Sequence, residues 1–252
     1  MVHFLQTLLS SKAKPKRSFT NIGTNSLLPP PTKPPLSASA QTLKAILSTI
    51  NSESCPHHYN FHMHTLCSDG RLHPEALIEQ AIAIGLQGLA ITDHHSVAGF
   101  VCAQQWYAKQ MPSPSIKLWA GIEITARLAG SDVHILGYGF DIDHPILVPY
   151  LQGHSAMGQA SRANRVIDAI HAAGGIAVLA HPHRYKQPAT ILIPEAVHHG
   201  IDGVETYYAY DNVQPWRPSP QQTQTTEYFA SKYNLLKTCG TDSHGLSLLH
   251  RR

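Results

Sequence analysis

The sequence predicts an α/β protein built on a parallel sheet or barrel of seven strands. Seven short apolar runs follow one another between residues 59 and 244, and amphipathic segments separate most of them. Strands that alternate with helices in this way are typical of parallel sheets and barrels. In three of the runs the polar residues come at the carboxyl end, after the apolar part, and this is the end at which β/α barrels build their active sites.

The first 52 residues differ in composition from the rest of the chain. They contain six Lys/Arg, no Asp or Glu and a proline-rich stretch at 27–35. This composition is typical of a disordered tail and also resembles an organelle transit peptide, whereas a secretory signal would have its basic residues before the apolar stretch. We expect residues 1–40 to be disordered, residues 42–50 to form a short helix, and residues 53–252 to form the folded domain.

The elements of the domain are predicted in chain order from apolar periodicity and turn residues. The apolar runs comprise residues 59–64, 88–95, 118–125, 132–139, 175–182, 203–208 and 235–244. A helix is predicted at 74–85, with Pro74 in its first turn and Gly85 as its stop, and segments 156–175 and 225–234 have similar helical character. The third and fourth runs are joined by RLAGS, which is too short for a helix and indicates a hairpin turn.

Composition excludes some classes of protein. No run approaches the ~20 apolar residues of a membrane-spanning helix, so no membrane partner is expected. The net charge of +3 tolerates an anionic substrate without arguing for nucleic-acid binding by itself. The four cysteines include no CxxC pair, which indicates reduced thiols and favours a cytoplasmic location; they are Cys55, Cys67, Cys102 and Cys239.

Histidines and carboxylates at the ends of the apolar runs are the main functional signal. His62 and His64 are two residues apart, as are Asp242 and His244, and on a strand such pairs point to one face. Imidazoles and carboxylates gathered in this way are typical ligands of divalent metal ions. The sequence therefore predicts a hydrolase site with several metal ions. The candidate ligands are His62, His64, Asp69, His94, Glu123, His134, His181, Asp242 and His244.

The stretch HMHTLCSDG resembles the opening motif of the PHP family, named for polymerase and histidinol phosphatase domains. The segments TDHH, GIE, VHILGYG, AHP and GTDSH follow in the order of that family, so the resemblance covers about residues 57–252. It implies a distorted seven-stranded β/α barrel that holds two or three divalent ions. It also implies three ligand groups, with Glu123 as a bridge: His62, His64, Glu123 and Asp242; Glu123, His134 and His181; and Asp69, His94 and His244.

Many members of the family have histidine where Asp69 stands. A carboxylate favours a harder ion, so we expect manganese, with zinc or iron as the alternatives. The resemblance further implies a phosphoesterase that hydrolyses nucleotides or short oligonucleotides with a metal-activated water. Members with HTxxSDG, TDHH and GIE resemble 3′,5′-bisphosphate nucleotidases and 5′-to-3′ exonucleases. However, 46 residues separate His134 from His181, where such relatives carry a longer insertion that helps to recognise substrate. The substrate therefore stays open between phosphorylated small molecules and short 5′-phosphorylated nucleic acids.

Two other functions remain open from the sequence. One is a histidinol-phosphate phosphatase or another small-molecule phosphatase. The other is a binding module that is stabilised by metal and has lost catalysis, which is disfavoured because degenerate domains usually lose ligands. Among the remaining polar residues, Arg184 is a candidate phosphate clamp, while Arg162 and Arg165 could meet a second phosphate or only water. Asp93, His95 and Ser243 are expected to support the ligands from behind.

Overall fold

The computed structural model describes residues 33–110 and 116–252. Its seven strands form one sheet in which spatial order follows chain order. The strands are β1 (Tyr59–Asn60), β2 (Gly88–Ile91), β3 (Lys117–Leu128), β4 (Ser131–Tyr138), β5 (Ile176–Leu179), β6 (Gly203–Tyr207) and β7 (Leu236–Cys239). The helices are α1 (Ala38–Leu47), α2 (Pro74–Ile84), α3 (Ala98–Gln110), α4 (Ala163–Ala172), α5 (Ala189–His198) and α6 (Pro220–Lys232). Short 3₁₀ segments cover Pro145–Tyr150 and Pro182–Arg184.

One strand runs against the others. The pairs β1–β2, β2–β3, β5–β6 and β6–β7 are parallel, whereas β4 is antiparallel to both β3 and β5. The reversal follows from the predicted hairpin, which is confirmed: Leu128 pairs with Ser131 across Ala129 and Gly130. Both turn residues have positive φ, 48° and 76°, as a tight two-residue hairpin requires. The predicted seven-stranded α/β barrel is thus confirmed, and the antiparallel β4 is where it departs from an all-parallel barrel.

Backbone hydrogen bonds close the barrel between residues 61–64 and 239–243. The amide of Phe61 donates to the carbonyl of Cys239 at 3.0 Å, and the amide of Asp242 donates to the carbonyl of His62 at 2.8 Å. The amide of His64 donates to the carbonyl of Ser243 at 3.0 Å. The first and the last strands of the chain therefore meet where predicted ligands lie.

Alternate strand residues serve two different cores. In β5, Ile176 and Val178 pack inside the barrel with Phe61 and Tyr138, whereas Ala177 and Leu179 pack outward against the helices. The inside also receives the apolar face of α1, formed by Ala40, Leu43 and Leu47 at helical spacing. Helix α1 therefore belongs to the barrel core.

Helix α1 lies before the domain boundary predicted at residue 53, and its buried face packs with barrel residues. The compact unit that contains the barrel extends over residues 33–252. The short helix predicted at 42–50 begins earlier, because the hydroxyl of Ser37 accepts from the amide of Ala40 and caps it. The disorder expected over residues 1–40 falls, up to residue 32, outside the described residues. Beyond that point it is wrong for 38–40, which are helical.

The other helices agree with the sequence except at their ends. Helix α2 confirms the segment 74–85, and Gly85 ends it with a φ of 84°. Helix α4 is shorter than the segment 156–175, since the backbone of Arg162 is still extended. Helix α6 begins five residues before the predicted start at 225, because Pro220 occupies its first turn. Within the described residues, we find no helix that is long and apolar enough to cross a membrane.

Candidate metal centre

The nine predicted ligands lie together at one end of the barrel. Four groups of side chains have donor atoms that are all within 4.8 Å of one another. The groups are His62, His64, Glu123 and Asp242; His64, Asp69, His94 and His244; His94, Glu123 and His134; and His62, His181 and Glu205. Every predicted ligand occurs in at least one group, and only Glu205 was not predicted.

Glu123 is the centre of this arrangement. Its Oε2 lies 3.0 Å from Nε2 of His62 and 3.1 Å from Nε2 of His64. Its Oε1 lies 2.6 Å from Nδ1 of His134 and 3.2 Å from Nε2 of His181. The side chain is 1% exposed. One carboxylate thus presents a different oxygen to each of two histidine pairs, as a bridging ligand must.

The donor spacing around His64 fits a metal ion better than a hydrogen-bond network. Both ring nitrogens of His64 are buried and have no hydrogen-bond partner among the described residues. Yet its Nε2 lies 3.1 Å from Oε2 of Glu123 and 3.2 Å from Oδ1 of Asp242. Donor atoms that share one divalent ion at about 2.0–2.2 Å lie roughly 3 Å apart. A buried imidazole without a partner is costly, and a cation between these atoms would supply the missing interaction.

Asp242 offers one oxygen to the cluster and has the other fixed from outside. Its Oδ1 faces His64, whereas its Oδ2 accepts from the hydroxyl of Tyr208 at 2.7 Å. The same Oδ2 accepts from Nη1 of Arg184 and from Nε of Arg251, each at 2.8 Å. Three charged or polar donors therefore set the orientation of this carboxylate.

Asp69 stands at the outer rim of the cluster and is 55% exposed. Its Oδ2 lies 3.2 Å from Nε2 of His244 and 3.9 Å from Nε2 of His94. Asp93, predicted to support His94, instead holds the loop that carries Asp69. It accepts from the amide and the hydroxyl of Thr65, each at 2.7 Å, and from the hydroxyl of Ser68 at 2.7 Å.

Two further residues, His95 and Ser243, were predicted to support the ligands. Nε2 of His95 contacts the hydroxyls of Thr125 and Ser155, both at 3.2 Å, so this ring lies beside the cluster and belongs to none of its groups. Ser243 contributes its carbonyl to the barrel closure, and its hydroxyl has no partner among the described residues.

The three arginines predicted to bind phosphate lie in different places. Arg184 reaches the rim through its hydrogen bond to Asp242. Arg162 and Arg165 are exposed at the start of α4, and no hydrogen bond or ion pair joins their side chains to the cluster within the described residues. Their predicted contact with a second phosphate stays untested.

Sequence reasoning missed Glu205, Tyr208 and Arg251. Glu205 is 1% exposed, faces Nδ1 of His62 at 3.0 Å and accepts from the amide of His181 at 2.8 Å. A glutamate inside the apolar run GVETYY was the available signal, because such a residue needs a partner when buried. Arg251 had no comparable signal, since it follows no strand and reaches Asp242 only through the fold.

The electrostatics favour ionised carboxylates. Burial opposes the charge of Glu123 and Asp242, but the imidazoles around them, His62 above all, hold the pKa of each carboxyl well below its usual range. Burial also opposes the charge of Asp69, but the imidazoles of His244, His64 and His94 lower the pKa of this carboxyl group to about 2. The cluster thus presents negative donors at neutral pH, which suits a cation.

The imidazoles divide into two kinds. Burial alone would lower the pKa of His64, but the carboxylates of Asp242 and Glu123 raise it to about 9. Burial lowers the pKa of His94 to about 4, so this ring is neutral at pH 7 and ready to donate a lone pair. A proton on His64 would have to leave before a metal could bind there.

Backbone strain concentrates at the same site. His181 has a φ of 22° and Asp242 a φ of 53°, both left-handed conformations that favour glycine. Asp242 and His244 lie beyond the end of β7, on either side of Ser243, which still forms a parallel bridge with Met63. The positive φ of Asp242 departs from the regular strand geometry predicted for this pair, yet Nδ1 of His244 lies 3.5 Å from Oδ1 of Asp242.

Comparison with known proteins identifies a family and two relatives that match parts of the barrel domain. A sequence profile of the PHP domain matches residues 60–239. A 5′-3′ exoribonuclease, Rnm, from Escherichia coli is 26% identical over 74% of this chain and 85% of its own length. A 3′,5′-nucleoside bisphosphate phosphatase from Chromobacterium violaceum is 31% identical over 46% of this chain and 39% of its own length.

Solved structures agree on the fold. A protein from Chromobacterium violaceum described as an amidohydrolase, with bound sulfate and no metal, superposes with a TM-score of 0.63 at 21% identity. It covers 75% of this chain and 88% of its own. A protein from Bifidobacterium adolescentis described as a metal-dependent phosphoesterase superposes with a TM-score of 0.61 at 22% identity, and covers 75% and 89%.

Proposed function

The chain belongs to the PHP domain family, and on that premise we propose that it is a divalent-metal-dependent phosphoesterase acting on nucleotides or short oligonucleotides. The observation that carries the proposal is the carboxylate of Glu123, whose two oxygens face two pairs of histidines. A shared carboxylate offsets the repulsion between neighbouring cations, so this arrangement supports more than one ion. That all predicted ligands are gathered argues against a binding module that has lost its site.

Two groups of donors would hold the ions with Glu123 between them. We assign His62, His64 and Asp242 to one side of Glu123, and His134 and His181 to the other. Asp69, His94 and His244 would form a third position nearer the solvent. Bound ions would supply an activated water at neutral pH and neutralise charge on the phosphate oxygens.

The protein's own residues set up that chemistry. Tyr208, Arg184 and Arg251 hold Oδ2 of Asp242, so its Oδ1 is aimed at the cluster before any ion arrives. Glu205 fixes the ring of His62 through Nδ1, which leaves Nε2 directed at Glu123. Such outer contacts orient ligands and raise their basicity.

Manganese is the ion we expect. The donors mix imidazole nitrogen with carboxylate oxygen, and the exposed position at the rim carries a carboxylate, Asp69. Carboxylate ligands favour harder ions, whereas a site rich in imidazole also accepts zinc and iron. Metal analysis of protein loaded separately with Mn²⁺, Zn²⁺ and Fe²⁺ would distinguish them.

The substrate class rests on the relatives. One relative is named as an exoribonuclease and another as a nucleoside bisphosphate phosphatase, and both names describe hydrolysis of phosphate esters of nucleotides. We therefore place nucleotides and short 5′-phosphorylated oligonucleotides before histidinol phosphate and other small phosphomonoesters.

The test is hydrolysis by protein that has been stripped of metal and reloaded. We expect two or three Mn²⁺ ions per chain. We also expect release of phosphate or nucleotide from nucleotides and short 5′-phosphorylated oligonucleotides, and slower reaction with histidinol phosphate. One tightly held ion without hydrolysis of any substrate would overturn the proposal. Faster reaction with histidinol phosphate would overturn the substrate assignment alone.

The bridging role of Glu123 is tested with the variant Glu123→Gln. It keeps the shape but removes the charge of the bridge, so we expect metal stoichiometry to fall and kcat to drop by at least about a hundredfold. Glu195→Gln is the control, because Glu195 lies on α5 and, among the described residues, forms an ion pair only with His199. Unchanged metal content and turnover in Glu123→Gln would contradict the bridging role.

A further inference from the structure

A basic cavity of about 360 Å³ lies beside the rim of the candidate metal centre. Asp69 and His244, two of the proposed ligands, line this cavity. Three arginines form much of the remaining wall. The full lining is Asp69, Arg71, His244, Gly245, Arg251 and Arg252.

The charges in this cavity are unbalanced. Arg251 pairs with Asp242, but neither Arg71 nor Arg252 makes an ion pair within residues 33–110 and 116–252. Among the side chains that line the cavity there is one carboxylate, Asp69, which faces Nε2 of His244 at 3.2 Å. Two arginines without an acidic partner therefore face one cavity, and guanidinium groups are suited to bind phosphate through paired hydrogen bonds.

Both sides of the cavity are anchored. Arg71 follows the loop that Asp93 holds. On the other side, Leu248 is 1% exposed and fixes the segment that carries Arg251 and Arg252. The amide of Leu248 donates to the side chain of Gln80 at 3.2 Å, and the amide of His244 donates to the carbonyl of Arg251 at 2.8 Å.

We propose that this cavity binds a second phosphate of the substrate, next to the phosphate that is cleaved at the metal centre. The proposal rests on the proposed function and narrows it to substrates with two phosphates. Arg71 and Arg252 are the specificity-determining residues, since they face the cavity but touch none of the proposed ligands. The second phosphate could belong to a nucleoside bisphosphate or to the next linkage of an oligonucleotide, and the chemistry that binds it is the same.

The experiment compares adenosine 5′-monophosphate, adenosine 3′,5′-bisphosphate and a 5′-phosphorylated dinucleotide in the manganese-loaded protein. We expect kcat/KM to be higher for a substrate with two phosphates. Arg71→Ala and Arg252→Ala should each lower that preference by about threefold to tenfold, and leave the monophosphate reaction unchanged. Lys117→Ala is the charge control, because Lys117 is exposed at the amino end of β3.

The outcomes separate the two proposals. If the arginine variants lose the preference for the bisphosphate alone, the second phosphate belongs to a mononucleotide. If they lose the preference for the dinucleotide, the second phosphate belongs to an oligonucleotide. Equal kcat/KM of the wild-type protein for all three substrates would overturn the proposed subsite, while the proposed hydrolysis would stand. An unchanged preference in the double variant, which combines Arg71→Ala and Arg252→Ala, would do the same. If no substrate is hydrolysed, the proposed function fails. Calorimetric titration of the protein with pyrophosphate then decides the subsite: weaker binding by the double variant supports it and equal binding rejects it.

Discussion

Arg184 links the proposed ligands to the rim where substrate would bind. It donates from Nη1 to Oδ2 of Asp242 and to the hydroxyl of Tyr208 at 3.1 Å, while its side chain remains 36% exposed. The contact with Asp242 uses one edge of the guanidinium. The rest of the group is available to a phosphate, so a positioning role is compatible with the predicted clamp.

We predict that Arg184→Ala weakens metal binding about tenfold to a hundredfold, because it removes one of three donors that orient Asp242. At saturating metal, kcat/KM should still fall, by an amount that corresponds to a rise of about 2–3 kcal/mol in the activation free energy. This is the loss expected for a charge-assisted hydrogen bond to phosphate. Arg184→Lys should lose nearly as much, since lysine lacks the planar pair of donors. Metal titration and kinetics together check both roles. Wild-type kinetics at saturating metal would limit Arg184 to positioning.

At the scale of single residues, the ligands could be predicted and the groups behind them could not. His62, His64 and Asp242 stand in motifs at strand ends, so local sequence marks them. Arg251 reaches Asp242 only because Leu248 anchors the segment before it. A contact of that kind depends on tertiary packing, which no local pattern encodes.

Helix α1 turns a segment outside the predicted domain into part of the barrel core. Leu43 is completely buried on its inner face, among residues that also pack against Phe61 and Tyr138. The sequence predicts this helix, but its docking depends on a partner surface that exists only after the strands assemble. For that reason, composition alone does not show that this helix packs on the barrel.

We predict that Leu43→Ala lowers the free energy of unfolding by about 2–5 kcal/mol, since it leaves a cavity in the barrel. Lys44→Ala, one position along on the exposed face of the helix, should change it by less than about 0.5 kcal/mol. Urea denaturation of metal-free protein measures both. Equal, small effects would mean that α1 contributes little to the barrel.

Several elements also meet at Asp202, just before β6. Its Oδ2 lies 2.7 Å from Nε2 of His171 at the end of α4 and accepts from the amide of Ala177 in β5 at 2.8 Å. Lys33 also pairs with this carboxylate. Burial opposes its charge, but the hydrogen bond with His171 and the pairing with Lys33 lower the pKa of Asp202 below its usual value.

We predict that Asp202→Asn destabilises the protein most near neutral pH. A carboxyl group whose pKa is lowered by folding stabilises the folded protein at pH values above the pKa of the unfolded chain, about 3.9 for Asp. That contribution disappears as the pH falls through the lower pKa of the folded protein. The difference between wild type and variant should therefore shrink below about pH 4. Denaturation curves from pH 3 to pH 7 test it. A difference that is constant with pH would assign the effect to packing.

For the whole molecule, alternating strands and helices were sufficient to predict the barrel class and the end that bears the site. The antiparallel position of β4 followed from a single short link, RLAGS, whose two-residue turn forces the reversal. Closure of the barrel could not be predicted in detail. It uses residues 61–64 beyond the short strand β1, where an apolar run only suggested more strand.

We predict that a metal ion bound at this closure would slow the opening of the backbone there. The amides of His64 and Asp242 donate across it, and the side chains of these two residues face each other with 3.2 Å between Nε2 and Oδ1. An ion held by both would keep the two ends of the barrel from separating. At a metal concentration about 100 times Kd, deuterium exchange of these two amides should slow by about a hundredfold, provided that opening releases the ion. Amides in the β3–β4 hairpin turn should change little, so exchange at the closure would report whether the centre is loaded.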